Sequence, residues 1–217
     1  MAELVVYSEA SDGEIKSHSS VYNTARSGSS LSSADFQFTV GQYCYAGPKY
    51  YCAESFFSFD TSELGAKAVV SSVVLKLYVG SEAAAATWVA EARLFDFGDT
   101  LTTADWVPCA NLGNYTLLGT QEITSSPSNW KTFTSEAAFI NNINKTGKTR
   151  IIVASNRSRL GNAPTVGTYE YVAGETQNSL HKPTLIINYE YLLSKPFIPE
   201  ERGYPLFKNQ RSYPMEM

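Results

Sequence analysis

Residues Phe56–Val79 read FFSFDTSELGAKAVVSSVVLKLYV, and this stretch decides the fold class. Its second half alternates every two residues: one face carries Val73, Leu75, Leu77 and Val79. The residues between them would point to the opposite face, a pattern typical of a strand with one face in a core. The preceding FFSFD predicts another strand, and a turn-like loop joins the two. The pair predicts the framework of a β-sandwich and contains no catalytic group.

The composition favours the same fold class. Charged residues make up 18% of the 217-residue chain, and Ser, Thr, Tyr and Phe are abundant, which suits sheets better than helical bundles. The length suits one sandwich domain that buries its own core without disulfides or metals. The formal net charge is only −4, with 17 basic and 21 acidic residues and no basic cluster. We therefore expect no nucleic-acid binding.

Two further sequence features concern location. No apolar run approaches the ~20 residues needed to span a bilayer, so we expect no membrane insertion. The N-terminal MAELVVY lacks a basic region followed by an apolar run, so we expect no signal peptide and synthesis in a host cytoplasm.

The three cysteines, Cys44, Cys52 and Cys109, argue against a disulfide framework. Free buried thiols are favoured, and a Cys44–Cys52 bridge across a hairpin remains an alternative.

The rest of the chain predicts mostly short strands. Alternating apolar residues or an extended sequence predict strands at 4–7, 36–40, 88–94, 115–123, 130–133, 150–154 and 184–189. A further strand is expected near 20–24. Ser135–Asn144 is the best helix candidate, because Thr134 or Ser135 can cap it and Gly147 ends it. Residues 155–182 predict an exposed loop. Together these elements predict an all-β, jelly-roll-like antiparallel β-sandwich with one short helix.

The composition changes near Leu192, which divides the chain into a sandwich domain, 1–191, and a C-terminal segment, 192–217. This segment holds four of the nine prolines and four aromatic residues: Phe197, Tyr204, Phe207 and Tyr213. Proline at this density keeps a backbone extended, and a disordered tail is usually poorer in aromatics. We expect an extended arm that docks on a partner; packing on its own domain and disorder are the alternatives.

Three motifs in residues 1–190 occur in the order found in a known family. They are FSFDTS followed by VVSSVVLKLYV at 57–79, a Trp130 strand running into a short helix, and KPTLIINY at 182–189. In this the chain resembles DNRLRE-type β-sandwich domains, jelly-roll modules related to carbohydrate-binding modules. The resemblance implies binding or structure rather than catalysis. Such domains also occur in tailed-bacteriophage particles.

Candidate chemistry is sparse. The chain has only two histidines, His18 and His181, and no Gly-x-Ser-x-Gly motif. We therefore predict that the protein is not an enzyme and needs no cofactor. One loop carries Asp96, Asp99 and Asp105, and such oxygen ligands could bind calcium. Turn capping by aspartate is the favoured alternative, so no metal is expected.

A tyrosine cluster has the character of a binding surface. Tyr43, Tyr45, Tyr50 and Tyr51 flank a Gly-Pro turn. Aromatic rings stack on sugars, and tyrosine is favoured at interfaces because it combines apolar area with a hydroxyl group. Simple packing inside a sandwich is the alternative.

These observations predict a non-enzymatic structural protein of a tailed-phage virion. It would decorate the capsid or belong to the tail or host-adhesion apparatus, assemble as a homo-oligomer, and dock on other virion proteins through the arm. The alternative is a carbohydrate-binding module acting at a cell surface, where its partner would be a host surface glycan.

Overall fold

The computed structural model describes residues 1–124, 129–177 and 180–191. The predicted arm, with Phe197, Tyr204, Phe207 and Tyr213, lies outside these residues. Within them the chain forms fourteen strands, three α-helices and three short 3₁₀ segments. No helix among the described residues is long and apolar enough to cross a membrane. The prediction of an all-β protein is confirmed, whereas the jelly-roll-like sandwich arrangement stays a prediction.

The elements are numbered in chain order. The strands are β1 (Ala2–Tyr7), β2 (Gly13–Ser19), β3 (Leu31–Asp35), β4 (Gln37–Cys44), β5 (Tyr50–Asp60), β6 (Ala68–Tyr78), β7 (Ser81–Ala84), β8 (Trp88–Leu94), β9 (Leu117–Ile123), β10 (Trp130–Thr132), β11 (Thr134–Ser135), β12 (Lys148–Ser155), β13 (Tyr169–Glu175) and β14 (Thr184–Tyr191). The helices are α1 (Tyr22–Ser27), α2 (Ala137–Asn141) and α3 (Asn156–Leu160), and the 3₁₀ segments are Ser62–Leu64, Thr103–Asp105 and Cys109–Asn114.

The strands form two antiparallel sheets. The smaller one has the order β1-β14-β6-β10, and the larger one runs β11-β9-β8-β12-β5-β4-β13-β7, with β2 and β3 attached through β5. Strand β5 is the centre of the larger sheet. Its residues 50–56 pair with β2, while 50–53 pair with β4 and 55–60 pair with β12. Ser55 and Phe56 pair with both β2 and β12, so these two strands lie on opposite edges of β5. Strand β4 lies on the same edge as β12, next to a different part of β5.

The main core contains buried residues from both sheets. The alternating face of β6 predicted from sequence is inside it: Val73, Leu75 and Leu77 are at most 1% exposed. From the larger sheet, Phe57 and Phe59 of β5 join the same cluster. Full burial of such side chains contributes roughly 1.5–3 kcal/mol each, so this cluster dominates the stability of the fold.

Strand β4 has an unusual backbone conformation at Gly41. Gly41 has φ 135°, and a Cβ there would lie 2.2 Å from the carbonyl oxygen of Glu170, so only glycine fits. On the N-terminal side of Gly41, Phe38 enters the main core, with its ring 5.7 Å from that of Phe57. On the other side, residues 41–44 pair with β5. One strand therefore serves both the core and the surface.

A second apolar cluster lies on the opposite face of β5. Cys52 and Phe56 contribute to it, and the chain between β8 and β9 covers it with Trp106 and Leu112. All three cysteines are buried and unbridged. Cys44 is in register with Tyr50, not with Cys52, so the favoured expectation of free thiols agrees with the structure.

Several local predictions were wrong. Residues 22–27 form a helix where a strand was expected near 20–24, and there are three α-helices among the described residues instead of one. Residues 155–182, predicted as an exposed loop, contain α3 and the strand β13, of which Glu170 and Val172 are buried. The predicted helix at 135–144 is shorter, at Ala137–Asn141. Strand β13 pairs with both β4 and β7, and these partners are remote from it in sequence.

Candidate functional site

Three of the four predicted tyrosines lie together, and the fourth does not. Tyr43, Tyr45 and Tyr51 share one face of the larger sheet, where the rings of Tyr43 and Tyr51 are 4.7 Å apart. Tyr50 faces the other way, towards the second cluster, where its ring lies 5.6 Å from that of Tyr22. The reason is strand geometry, since neighbours along a strand point to opposite faces.

The shared face carries a row of stacked rings across four strands. The register places His18 opposite Tyr51, Tyr51 opposite Tyr43, and Tyr43 opposite Tyr169. Successive ring centroids lie 5.3, 4.7 and 6.0 Å apart, with interplanar angles of 26°, 12° and 21°. We call these four residues the tyrosine row. Aromatic pairs of this kind contribute about 0.5–1.5 kcal/mol beyond burial, so the row also stiffens the sheet.

Two more tyrosines flank the row. Tyr45 packs edge-on against Tyr43, Tyr51 and Tyr169, and Tyr171 packs edge-on against Tyr43 and Tyr169. Together the five residues Tyr43, Tyr45, Tyr51, Tyr169 and Tyr171 form what we call the tyrosine surface. A cavity of about 200 Å³ lies within it, lined by Lys16, Thr39 and four of the tyrosines.

The row determines which parts of the rings a ligand can reach. Tyr43 has Tyr51 on one side and Tyr169 on the other, so both of its ring faces are covered. At the end of the row, the far side of Tyr169 borders β7 and the residue after it, where the neighbours are alanines such as Ala84 and Ala85. The surface therefore offers ring edges and hydroxyl groups along its length, and Tyr45, which is 45% exposed, is its most accessible ring.

The electrostatics of the surface suit hydrogen bonding. Burial, together with the neighbouring hydroxyls of Tyr45 and Tyr51, raises the pKa of Tyr43 well above its ordinary value. Its hydroxyl stays neutral and can both donate and accept. Lys49 places its Nζ 5.2 Å from the ring centre of Tyr51. Lys16, below the cavity, is paired with Glu14 at 2.5 Å.

Tyr169 and Tyr171 are not singled out from the sequence, because a loop is predicted over residues 155–182. A signal was present: in Tyr169–Ala173 the residues Tyr169, Tyr171 and Ala173 alternate with Glu170 and Val172. That is a strand period, and in the structure Glu170 and Val172 are the buried face, at 3% and 2% exposed. The alternation would have indicated tyrosines on the outer face.

A buried polar network supports the tyrosine surface from behind. Gln42 Nε2 donates to Glu170 Oε2 at 2.7 Å, and Arg157 Nε of α3 donates to the same oxygen at 2.8 Å. The hydroxyl of Tyr22 donates to Gln42 Oε1 at 2.5 Å. Since Gln42 adjoins Tyr43 and Glu170 lies between Tyr169 and Tyr171, this network fixes the two strands that carry most of the surface.

A second ion network ties α3 to strand β8. Arg159 makes two bonds to the carboxylate of Glu91, at 2.8 and 2.9 Å, and Arg93 bonds to Glu91 at 2.9 Å. Burial alone would raise the pKa of Glu91, but the bonds from Arg159 and Arg93 outweigh it and the pKa is lowered. These charges are satisfied within the protein, so their role is structural.

The three aspartates of the calcium hypothesis serve other interactions. Asp96 and Asp99 both bind the guanidinium of Arg150, at 2.6 and 2.5 Å. Asp105 instead caps its own 3₁₀ turn by accepting from Thr102. Within the residues that the structure describes, no group of three or more His, Cys, Asp or Glu side chains is arranged to hold a metal ion.

The most strongly perturbed acids are enclosed in the protein. Glu54 is 1% exposed and accepts the backbone N–H of Val107 at 3.2 Å, and burial raises its pKa. Asp12 is fully buried and accepts the N–H of Ser58 at 2.7 Å. Burial raises the pKa of Asp12 to about 8. Such shifts can mark active sites, but here each acid bonds to backbone inside the fold.

No family model matches the chain, and no curated protein matches it.

Proposed function

We propose that this protein is a non-enzymatic adhesion module, built as a jelly-roll-like sandwich, that binds a carbohydrate through the tyrosine surface. The observation that carries the proposal is the register of Tyr51, Tyr43 and Tyr169 across three neighbouring strands. Side chains on paired strands are held rigidly, and a rigid site loses little conformational entropy on binding.

The chemistry of the surface fits a sugar. A sugar ring has an apolar face and a fringe of hydroxyl groups. Tyr45, which is 45% exposed, supplies aromatic surface, and the tyrosine hydroxyls supply donors and acceptors. The polar network behind the surface fixes the strands that carry the tyrosines, and its bonds do not involve the hydroxyl groups of the tyrosine surface. The same surface would also suit a protein partner, which makes the choice of ligand the point to test.

The test is a glycan microarray followed by titration of any ligand found. We expect Tyr169→Ala and Tyr45→Ala to weaken binding by about tenfold or more, since each removes part of the contact surface. Tyr191→Ala is the matched control, because Tyr191 is 51% exposed and bonds to Leu64, outside the tyrosine surface. An array without signal, or equal binding by all three variants, would count against this function.

The second candidate places the module in a tailed-phage virion, as a capsid-decorating, tail or host-adhesion component. The sequence of residues 192–217 favours it, because aromatic residues spaced between prolines suit an arm that docks on other virion proteins. The two functions are compatible if the virion protein adheres to a host glycan. The test is the identity of the neighbouring genes: capsid, portal or tail genes are expected, and an operon of metabolic enzymes would contradict it.

A further inference from the structure

The smaller sheet carries a groove of about 520 Å³ on its outer face. Its floor is a cross-strand row in which Tyr7, Thr184, Lys76 and Thr132 are in register from β1 to β10. Trp130 forms one wall, and Ile186, Leu180 and Lys182 complete the lining. We call it the lysine groove. It lies on a different sheet from the tyrosine surface.

The lining has three kinds of groups. Trp130 and Tyr7 present aromatic surface, with 41% and 56% of each residue exposed. Thr132 and Thr184 bring hydroxyl groups, although that of Thr184 also donates to the carbonyl of Lys182 at 2.8 Å. Both charged residues of the lining, Lys76 and Lys182, are basic. The groove therefore combines ring surfaces, hydroxyls and a local charge of +2.

Neighbouring aromatic residues support Trp130. Its ring lies edge-on to Tyr78 at 5.2 Å, and His181 stacks on Tyr78 at 3.6 Å. Tyr78 is directly opposite Trp130 in the pairing of β6 with β10. These contacts fix the indole at the mouth of the groove, where it can pack against a ligand ring.

We propose that the lysine groove binds an acidic carbohydrate, a chain of uronic acid residues, as a second site independent of the tyrosine surface. The carboxylate of a uronate would pair with Lys76 or Lys182, while the sugar ring packs on Trp130 and its hydroxyls bond to Thr132. Charge complementarity selects the anionic sugar, and the aromatic wall selects a ring over a simple anion.

An acidic polypeptide fits this groove less well. An extended peptide gains most of its affinity from main-chain hydrogen bonds to a sheet edge. The lysine groove lies on the face of the sheet, where the strand backbones already pair with one another. A saccharide needs no such edge, since its contacts are to side chains.

The experiment uses the full chain and isothermal titration with tetragalacturonic acid and with its methyl ester. The two ligands share their rings and hydroxyls but differ in charge. The acid can form two partly exposed ion pairs, with Lys76 and with Lys182, which the ester cannot form. We therefore expect the acid to bind about tenfold more tightly than the ester. This preference should shrink as salt is added, because salt screens the charges. An alginate oligosaccharide serves as a second uronate.

Variants locate the binding. Lys76→Gln combined with Lys182→Gln should reduce the preference for the acid to about twofold or less. Trp130→Ala should weaken the binding of both acid and ester, and near-ultraviolet circular dichroism would verify its fold. Lys67→Gln removes the same charge from an exposed loop before β6 and should change nothing.

The outcomes separate this proposal from the alternatives. Absence of binding to both uronates, equal affinity for acid and ester, or unchanged binding by the double lysine variant would overturn it. Equally tight binding of a hexaglutamate peptide would overturn it in favour of a polypeptide ligand. Tyr191→Ala, which lies outside both linings, should leave uronate binding intact. The lysine groove and the cavity of the tyrosine surface share no lining residue, so failure at this groove would leave the test of the tyrosine surface unaffected.

Discussion

Gln42 and Glu170 lie directly opposite each other on β4 and β13, and their side chains are joined by a 2.7 Å hydrogen bond behind the tyrosine surface. Glu170 is 3% exposed and also receives a bond from Arg157. The side chains of Tyr43, Tyr169 and Tyr171 project from the opposite face of the same two strands. The pairing of β4 with β13 therefore does two things at once. It aligns the tyrosines on one face and brings Gln42 to the buried carboxylate of Glu170 on the other.

Replacing Glu170 should therefore weaken the fold. We expect Glu170→Gln to lower the free energy of unfolding by about 1–3 kcal/mol, because it leaves Arg157 without its carboxylate partner. Urea-induced unfolding measures this. Glu122→Gln, at an exposed position of β9, is the control and should stay within about 0.5 kcal/mol of the wild type. Equal stability of the two variants would show that the network is not important for folding.

The backbone conformation of Gly41 gives a second prediction about stability. Gly41→Ala should lower the melting temperature strongly, since the new Cβ would meet the Glu170 carbonyl at 2.2 Å and φ is 135°. Gly80→Ala is the matched control, because a Cβ there meets nothing within 4 Å. Thermal unfolding of both variants provides the comparison, and a Gly41→Ala protein as stable as Gly80→Ala would contradict the account of β4.

Asp12 predicts how stability depends on pH. Its pKa is about 8 in the folded protein against an ordinary value of 3.8. The folded protein therefore retains a proton that the unfolded chain loses, and stability falls as pH rises from about 4 to about 8. Each unit of difference corresponds to about 1.4 kcal/mol, so the loss amounts to several kcal/mol.

Asp12→Asn should remove that part of the pH dependence, because its neutral amide oxygen can still accept from Ser58. Urea unfolding at pH 5, 6.5 and 8 should show the variant gaining on the wild type as pH rises. Asp35→Asn, at an exposed position, should follow the wild-type curve. Parallel curves for Asp12→Asn and the wild type would refute the role of Asp12.

The predicted arm can be tested by truncation. All fourteen strands described lie within residues 1–191, so a chain ending at Tyr191 should keep its circular dichroism spectrum and its melting transition. If the protein is a virion component docked through residues 192–217, the truncated chain should be absent from purified particles. Normal incorporation would show that the arm does not anchor the protein.

Local sequence patterns predicted the strands whose two faces differ in polarity. Trp88–Leu94 was predicted with the bounds that the structure has, and Val73–Val79 lies in β6 and the residue after it. Such strands are recognisable because apolar residues recur at every second position. In Trp88–Leu94 the intervening positions include Glu91 and Arg93, which are buried but paired with each other. Short helices such as Tyr22–Ser27 carry no comparable signal, since six residues give too few turns for a helical period.

The sequence predicted part of the tyrosine surface but not the residues that β13 contributes to it. The tyrosines near residues 43–51 are adjacent in sequence, so their clustering was visible, and strand alternation could have separated Tyr50 from the others. Tyr169 and Tyr171 are more than 110 residues away in sequence, and only the pairing of β13 with β4 brings them to the same face. No spacing rule predicts which distant strand becomes a neighbour.

The amino-acid sequence was sufficient to establish a chain of mostly antiparallel strands, because hydrophobic alternation is a local property that each strand carries in its own residues. The order of those strands in the two sheets, the close approach of Gly41 to Glu170 and the row from His18 to Tyr169 depend on the folded state. They arise when strands remote in sequence compete to bury the same apolar faces and to satisfy the same buried polar groups, and only long-range contacts resolve that competition.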